Sequence, residues 1–403
     1  MTISTFKDTR QRRKGLVLTG GGARAAYQVG VLRGISDIIR VKTNPFQIIS
    51  GFSAGAINGT WIASRHEEFE QATRNLWEGW ASLTTEQIFK TAPLPLMNIG
   101  LRWIKDRSKG GMGKKQQITY LLDTAPLNHF VRSKINFDAL NSYLRAEKIH
   151  GVSVTAANYH TGHSTTFFSG SAQIQDWQSL NRISRRSDLA AHHVMASAAI
   201  PVFFPPVRIN DAFYGDGMIR LNAPLSAAIR MGAESLLVIG IRGPSSTTPA
   251  NPQTKETISL SEIASAILNG LFFDSLDADL ARIARINRTL SVMTPSELQR
   301  EPDHLRNIPV LSLRPSEEVG NMPACALSSI PFTLRFLLEG IGLTEEKSKD
   351  LLSYLSFEPR YMRSLLELGY EDTLQRKDQI LEFFSEPEHP EQKLPEQERP
   401  LNT

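Results

Sequence analysis

The sequence predicts an α/β fold with parallel neighbouring strands, and three observations carry this prediction. Two short apolar stretches near the N-terminus are each followed by a glycine-containing turn and then by a helical pattern. Further short apolar runs recur between residues 149 and 241. Of the 403 residues, 41% are hydrophobic, which is enough for a sizeable core. Strands that alternate with helices in this way are typical of parallel sheets.

The first strand–turn–helix unit contains a glycine-rich loop, Gly20-Gly21-Gly22-Ala23-Arg24, directly after the apolar residues 15 to 18. Glycines let the backbone come close to a ligand, and N–H groups at the start of a helix favour negative charge. The loop therefore predicts an anion site. A dinucleotide-binding loop would need an acidic residue at the end of the next strand. That strand ends in Ser50, and Asp37 falls in the preceding helical pattern, so we disfavour a dinucleotide.

The second unit carries Gly51-Phe52-Ser53-Ala54-Gly55 between an apolar strand at residues 46 to 50 and a helix. A serine between glycines at a strand-to-helix turn is typical of a nucleophile elbow, where the flanking residues must be small because the turn is sharp. The alternative is a tight turn without chemistry. Because the glycine-rich loop and this turn occur together in the sequence, we interpret Ser53 as the candidate nucleophile.

The remaining elements follow in order along the chain. We predict helices and loops over residues 69 to 147. Within them, a Pro/Gly-rich span at 91 to 113 is expected to form either a lid over the site or a solvated surface loop. A Ser/Thr/Pro-rich linker or surface loop is predicted at 243 to 258. We predict strands at 149 to 156, 163 to 168, 236 to 241 and 308 to 313, and helices at 188 to 200, 225 to 231, 261 to 287 and from 331 to about 384.

Charge and cysteine content narrow the function classes. The formal net charge is +4, from 45 basic and 41 acidic residues, so we expect no nucleic-acid partner. The single cysteine, Cys325, excludes an intrachain disulfide and suits a reducing compartment. The N-terminus lacks an apolar signal segment, and no stretch has the length of a membrane-spanning helix. We expect a cytoplasmic protein, with peripheral contact to a membrane surface as a further option.

An activated serine needs a base, and in α/β-hydrolases the order is Ser, then Asp or Glu, then His. Only His304 and His389 follow Asp216, and neither clearly ends a strand. Asp216 is the better partner because it lies between Gly215 and Gly217 after an aromatic strand. Burial beside an apolar pocket would raise the pKa of its carboxyl and make it a more useful base. The adjacent histidines at 192 and 193 point different ways on a helix, so we expect no bound metal.

Five sequence segments in a fixed order carry a resemblance to a known family. They are GGGARAAYQVGVL (20 to 32), GFSAG (51 to 55), LLDTAPL (121 to 127), MASAAIPVFFPPV (195 to 207) and YGDG (214 to 217). In this order they resemble the patatin-like phospholipase family, whose members are lipid acyl hydrolases with a Ser-Asp dyad. Two positions depart from the family pattern. Ala25 stands where the family's Gly-x-Gly-x-x-Gly pattern has its last glycine, and Met218 stands after Gly217 where the family has alanine or glycine, so that Met218 could narrow the pocket.

The resemblance implies a three-layer α/β/α fold with a mixed, mostly parallel central sheet, and no metal or cofactor. It implies that Ser53 is the nucleophile, that Asp216 accepts its proton, and that the loop from Gly20 to Arg24 holds the oxyanion. Gly51, Gly55 and Gly217 would shape these turns. The implied reaction is hydrolysis of a lipid ester through an acyl-serine. An acyltransferase, or a lipid-binding or regulatory protein without catalysis, is the alternative.

The domain organisation follows from these assignments. We predict a flexible lead-in at residues 1 to 14, a patatin-like catalytic domain at 15 to 245, a mostly helical C-terminal region at 246 to 385 and a disordered tail at 386 to 403. The helix predicted at 261 to 287 has a long apolar face that packs on the core, forms a homodimer contact or attaches to a membrane. The expected partner is a lipid substrate, a phospholipid or a glyceride.

Overall fold

The fold is given by a computed structural model, which describes residues 12–90, 120–243, 260–294, 296–297, 305–322 and 353–385, without the side chains of 260–274 and 321. Several predictions lie outside the described residues. They are most of the lead-in, the span at 91 to 113, nearly all of the linker at 243 to 258, the C-terminal tail, Cys325, His304 and His389.

A ten-stranded mixed sheet forms the centre of the described part of the chain. The main strand order is β10-β9-β1-β2-β3-β4-β6-β5, and β8 pairs with β3 and β7. The five strands from β10 to β3 run parallel, whereas β4 and β8 are antiparallel to β3. The strands are β1 (Lys14–Leu18), β2 (Ile48–Phe52), β3 (Gly151–Asn158), β4 (Ser164–Gly170), β5 (Gln178–Ser179), β6 (Arg182–Arg186), β7 (Val207–Ile209), β8 (Ala212–Asp216), β9 (Ser235–Ile239) and β10 (Val310–Leu313).

Helices cover both faces of the sheet, which gives the three-layer α/β/α arrangement. They are α1 (Ala26–Ile39), α2 (Ala54–Ala63), α3 (Phe69–Ala81), α4 (Thr85–Ile88), α5 (Ala125–Lys134), α6 (Phe137–Arg145), α7 (Ala191–Ser197), α8 (Ser226–Arg230), α9 (Leu260–Ser291), α10 (Pro359–Gln375) and α11 (Lys377–Phe384). Alternate residues of β9 point to opposite layers, as strand geometry requires. Leu237 packs in the core formed by α1, α2 and α3, and Leu236 packs in the core shared with α8 and α9.

The two strand–turn–helix units form as predicted, with one shift in register. The first strand, β1, starts at Lys14, one residue before the predicted start. The second strand, β2, is Ile48–Phe52, two residues later than predicted at both ends. Its pairing explains the shift, because Gly51 and Phe52 pair with Val154 and Thr155 of β3. The strand therefore continues into the Gly-x-Ser-x-Gly sequence and ends directly before Ser53.

Two other elements differ from their predicted form. The helix predicted at 188 to 200 is confined to α7, because the backbone at Ala190 is extended and the N–H groups of Ala199 and Ile200 bond to carbonyl oxygens only three and two residues back. The short hairpin of β5 and β6 was not predicted. Its sequence contains the charged stretch Arg182–Arg186, which lacks the apolar character of a buried strand.

The C-terminal part contributes both a strand and helices. The β10 strand extends the sheet beyond β9, and α10 packs along α1. The close contact of these helices depends on glycine, since a Cβ on Gly30 would overlap the carbonyl oxygen of Leu366. In α9, Leu276 and Ile283 are buried in the core beneath the sheet, so this stretch of the helix packs on the protein itself. None of the described helices is long and apolar enough to cross a membrane.

Candidate active site

The two candidate reacting residues meet because two strands share one edge of β3. The β4 strand occupies the other edge along residues 151 to 157. On the shared edge, β2 pairs up to the match of Phe52 with Thr155, and β8 ends at the match of Asp216 with Ala156. The end of β2 and the end of β8 therefore lie side by side. Ser53 follows the last residue of β2, and Asp216 is the last residue of β8.

Ser53 occupies a strained turn between β2 and α2. Its backbone φ of 54° and ψ of −132° lie outside the regions that L-residues favour, at a cost of about 1 to 3 kcal/mol. The residue is 2% exposed. Both elbow glycines are required by close backbone contacts, since a Cβ on Gly51 would overlap the carbonyl oxygen of Gly55, and one on Gly55 would overlap that of Leu18. The turn thus has the sharp geometry that the sequence predicted.

Asp216 is fully buried, and its two carboxyl oxygens have different surroundings. One oxygen, Oδ1, accepts a hydrogen bond of 3.0 Å from the N–H of Met218. The other, Oδ2, has no partner of regular hydrogen-bond geometry in the described part of the chain. Burial raises the pKa of the carboxyl to about 7, and hydrogen bonding from the Ser53 hydroxyl and the Met218 N–H lowers it only in part. The Ser53 hydroxyl is thus close enough to the carboxyl to affect its pKa.

The glycine-rich loop packs directly against the candidate nucleophile. A Cβ on Gly20 would lie 2.8 Å from the Cβ of Ser53, so only glycine permits this approach. The loop then enters a 3-10 turn, Gly22–Ala25, in which the N–H of Arg24 donates to the carbonyl oxygen of Gly21. Gly22 and Ala54 are the first residues of helical segments, where a backbone N–H has no acceptor within the helix. Both residues line the pocket beside Ser53.

The side chain of Arg24 points to the C-terminal part of the chain. It is 3% exposed, and its Nε donates to the hydroxyl of Ser353 at 2.6 Å. Its Nη1 donates to the hydroxyl of Tyr354 at 3.2 Å, and the guanidinium lies 4.2 Å from the centroid of the Tyr354 ring. Gly22 sits against the same segment, because a Cβ there would overlap the carbonyl oxygen of Tyr354. No local sequence pattern predicts these contacts, which join residues more than 300 positions apart.

Two buried amide side chains join the glycine loop to the helix that follows Ser53. Gln28 donates to the carbonyl oxygen of Thr19 at 2.8 Å, before the loop. Asn58, on α2, donates to the carbonyl oxygen of Ala25 at 3.2 Å, after the loop, and to Oε1 of Gln28 at 3.1 Å. Both ends of the loop are therefore fixed to one network. Ala25 fits this arrangement, since it takes part through its backbone carbonyl.

An apolar pocket opens beside Ser53 and encloses about 430 Å³ of empty space, counting its mouth. Apart from Ser53, the residues that line it are apolar or glycine. They are Gly22, Ala54, Ile57, Trp80, Leu83, Ile88, Leu127, Phe130, Ala198, Ile200, Phe204 and Phe357. Met218 is not one of them, and its side chain packs with Phe52 and Leu221 instead. The described lining thus does not support our expectation that Met218 narrows the pocket.

None of the described residues that line the pocket beside Ser53 is a histidine. His193 is buried, and its Nδ1 accepts a hydrogen bond of 3.1 Å from the N–H of Ala190. Burial lowers the pKa of its imidazole to about 3, with a smaller contribution from His192. Among the described residues, no group of three or more His, Cys, Asp or Glu side chains could hold a metal ion.

The family model described as "Patatin-like phospholipase" matches residues 16–229, just over half of the chain. The chain therefore belongs to the patatin-like phospholipase family, and the family expected from the five sequence segments is confirmed. The three-layer fold with a mixed sheet and a helical C-terminal region is confirmed as well.

Two curated relatives each match about half of the chain. A "Probable lipid hydrolase 463L" of Invertebrate iridescent virus 6 is 24% identical over 218 residues, which cover 54% of this chain and 63% of the relative. A "cGAMP-activated phospholipase" of Pseudomonas aeruginosa is 26% identical over 210 residues, which cover 52% and 53%. The matched part of the chain thus spans between about half and two thirds of the length of these relatives.

Matches among solved structures include VipD from Legionella pneumophila and a human cytosolic phospholipase A2. The VipD structure is 14% identical with a TM-score of 0.34, and the match covers 92% of this chain and 67% of that one. The human GIVD phospholipase A2, in complex with methyl γ-linolenyl fluorophosphonate, is 14% identical with a TM-score of 0.41, and the match covers 93% and 59%.

Proposed function

We propose that this protein is a lipid acyl hydrolase that cleaves carboxylic esters through an acyl-Ser53 intermediate, with Asp216 as the proton acceptor. The observation that carries the proposal is the meeting of Ser53 and a fully buried Asp216 on one edge of β3, next to an apolar pocket. A carboxyl with a pKa of about 7 can take a proton from a serine hydroxyl and return it near neutral pH. Without burial, the same carboxylate would be a much weaker base.

The reaction proceeds in two halves. The hydroxyl oxygen of Ser53 attacks the ester carbonyl carbon, and its proton passes to Asp216. The tetrahedral intermediate collapses, the alcohol leaves with the proton from Asp216, and the acyl group stays on Ser53. Water then gives a proton to Asp216 and attacks the acyl-serine. The fatty acid is released as the proton returns to Ser53, and no cofactor enters either half.

Backbone N–H groups at the two turns would hold the negative charge of the intermediate. Gly21 and Gly22 of the loop and Ala54 of the elbow are the proposed donors, and each such donor contributes roughly 3 to 4 kcal/mol to transition-state stabilisation in comparable sites. Gly20 and Ala23 complete the loop around them. Arg24 would fix the shape of the loop, because its N–H and its guanidinium are already engaged by Gly21, Ser353 and Tyr354.

The pocket supports a lipid as the substrate. Its lining would bind the acyl chain through apolar contacts, because none of the described lining residues is charged. Val202 is 66% exposed, and in the sequence it lies between two residues that line the pocket, Ile200 and Phe204. Its carbonyl oxygen accepts a hydrogen bond from Leu121, next to the 44% exposed Tyr120. Such exposed apolar groups at the rim would suit transient contact with a membrane surface. A homodimer stays a prediction.

Two variants test the dyad with short p-nitrophenyl esters and a fluorophosphonate probe that labels activated serines. Ser53→Ala should lower kcat by about 10⁴-fold or more and abolish labelling. Asp216→Asn should keep the fold but lower both kcat and labelling of Ser53 to a similar degree. Equal activity of the Ser53→Ala variant and the wild type would refute the proposal. A wild-type protein that is folded but inactive on all esters would favour the non-catalytic alternative.

Product analysis separates hydrolysis from acyl transfer. The wild-type enzyme is incubated with mixed phospholipids and neutral glycerides, with and without an added alcohol or lysolipid. We expect free fatty acid as the main product in both cases. Transfer of most acyl groups to the added acceptor would instead show an acyltransferase that uses the same Ser53.

A further inference from the structure

The short segment from Ser197 to Ala199 contacts the backbone of both proposed reacting residues. The hydroxyl of Ser197 accepts a hydrogen bond of 2.8 Å from the N–H of Ser53. The carbonyl oxygen of Ala199 accepts one of 2.8 Å from the N–H of Asp216. Two backbone donors on different strands are thus tied to acceptors only two residues apart.

The Ser197 hydroxyl also bridges two strands of the sheet. It donates to the carbonyl oxygen of Thr155 at 2.6 Å while it accepts from Ser53. Because Phe52 pairs with Thr155, the N–H of Ser53 comes at the point where a continuing strand would bond to β3 directly. The hydroxyl stands between this donor and this acceptor. The end of β2 can therefore turn away from β3 without leaving a buried N–H unpaired.

We propose that Ser197 is a positioning residue, which holds Ser53 in its strained conformation and fixes its distance from Asp216. A strained backbone persists only where its surroundings determine it fully. Ser197 is fully buried at the end of α7, so water cannot replace its hydroxyl. Without this acceptor, the Ser53 N–H would be buried and unpaired, and the turn would relax. The inference rests on the proposed function, since it assumes that Ser53 and Asp216 react.

This role predicts a specific kinetic signature for Ser197→Ala. We expect kcat to fall by about 100-fold, as for a small misplacement of a reacting group, while KM changes little because the pocket keeps its lining. Labelling of Ser53 by a fluorophosphonate should slow in proportion. The midpoint of the pH–rate profile should stay near that of the wild type, because Asp216 remains buried, and only the plateau should drop.

Ser64→Ala is the matched control. Ser64 is also buried, lies directly after α2, and donates to the carbonyl oxygen of Trp61 at 2.8 Å, away from the site. Its loss should lower thermal stability without lowering kcat. An unchanged kcat for Ser197→Ala, or a change confined to KM, would overturn the positioning role.

A second pair of variants keeps the test valid if Ser197→Ala folds poorly. Ser197→Thr keeps the hydroxyl, and Ser197→Val has the same shape without it, so their ratio of kcat cancels the effect of added bulk. We expect the threonine variant to be at least about tenfold faster, and a ratio near one would overturn the inference. The Ser53→Ala variant distinguishes a failure of the proposed dyad from a failure of the proposed role of Ser197. If it stays active, the dyad itself fails, whereas an inactive Ser53→Ala beside a fully active Ser197→Ala rejects only the role of Ser197.

Discussion

Two ionisable side chains, Arg24 and Asp216, are buried beside the candidate active site, and their hydrogen-bonding surroundings differ. Arg24, behind the glycine loop, is held by Ser353 and Tyr354 through hydrogen bonds and ring contact. Asp216, beside Ser53, has one oxygen without a regular hydrogen bond among the described residues, and its pKa is raised to about 7. The Arg24 side chain, which supports the loop, has hydrogen-bond partners. The Asp216 side chain, which is proposed to react, is buried without a full set of them, and this burial raises its pKa.

The two turns also differ in where their support comes from. The elbow at Ser53 is fixed by Thr155 and Ser197, both within the part of the chain that the family model matches. The glycine loop is fixed in part by Ser353 and Tyr354, which lie outside it. The candidate nucleophile is thus supported from within the sheet, while the loop depends on the C-terminal region. Variants on the two sides should therefore fail differently.

The largest expected effect concerns Asp216, and it is a dependence of folding stability on pH. Burial raises the pKa of Asp216 from 3.8 to about 7. Between these values the folded protein holds a proton that the unfolded chain has lost, so folding stability falls as pH rises through this window. At about 1.36 kcal/mol per pH unit, the full loss is roughly 4 kcal/mol.

Asp216→Asn should remove this loss, because the amide carries no charge at any pH. Thermal or denaturant unfolding at pH 4 should show similar stability for the variant and the wild type. At pH 8 the variant should be more stable by up to roughly 4 kcal/mol. If the variant were no more stable at pH 8 than at pH 4 relative to the wild type, Asp216 would not be a destabilising buried carboxylate.

The second prediction tests the dependence of the loop on the C-terminal region. Gly22 has a φ of 53°, and a Cβ there would overlap the carbonyl oxygen of Tyr354. Gly22→Ala should therefore displace the loop and cost about 10²- to 10³-fold in kcat, as for the loss of one oxyanion donor. The measurement is steady-state kinetics together with labelling of Ser53.

Gly162→Ala is the control for backbone strain alone. Gly162 has a φ of 69°, but its added Cβ would meet only Nη2 of Arg220 at an ordinary 3.7 Å. This variant should lose about 1 to 2 kcal/mol of stability and keep its activity. Equal kinetics for the two glycine variants would show that the contact with Tyr354 has no part in forming the site.

Sequence patterns indicate the candidate reacting residues more readily than the residues that support them. Ser53 and Asp216 stand out because each lies between glycines at the end of an apolar stretch, and such local signals are visible without the fold. Ser197 lies within the family-like segment at 195 to 207, but no neighbouring residue in the sequence indicates that its hydroxyl faces Ser53. Ser353 is 329 residues from its partner Arg24, and a contact of that range has no local signature.

The same limit explains which parts of the fold were predicted. The strands from β1 to β3 and β9 are apolar and buried on both faces, so their residues alone indicate strands. The end of β2 was placed too early, because its last residue, Phe52, joins the sheet only through β3. The β5–β6 hairpin was missed because it lies at the sheet edge with exposed arginines. Elements defined by their partners require the three-dimensional structure.

The smallest expected effect separates the hydrogen bond of Tyr354 from its packing. Tyr354→Phe removes the hydroxyl that accepts from Nη1 of Arg24, and it leaves the ring beneath the guanidinium. The net loss of one such bond is about 1 kcal/mol, so kcat should fall by about fivefold if the bond shapes the loop. Tyr361→Phe is the matched control, since its buried hydroxyl donates to the carbonyl oxygen of Val319 at 3.1 Å. Both variants should lose similar stability in denaturant unfolding, but only Tyr354→Phe should lose kcat. A loss of kcat in both would mean that the C-terminal region acts on the site through general stability, rather than through its contact with Arg24.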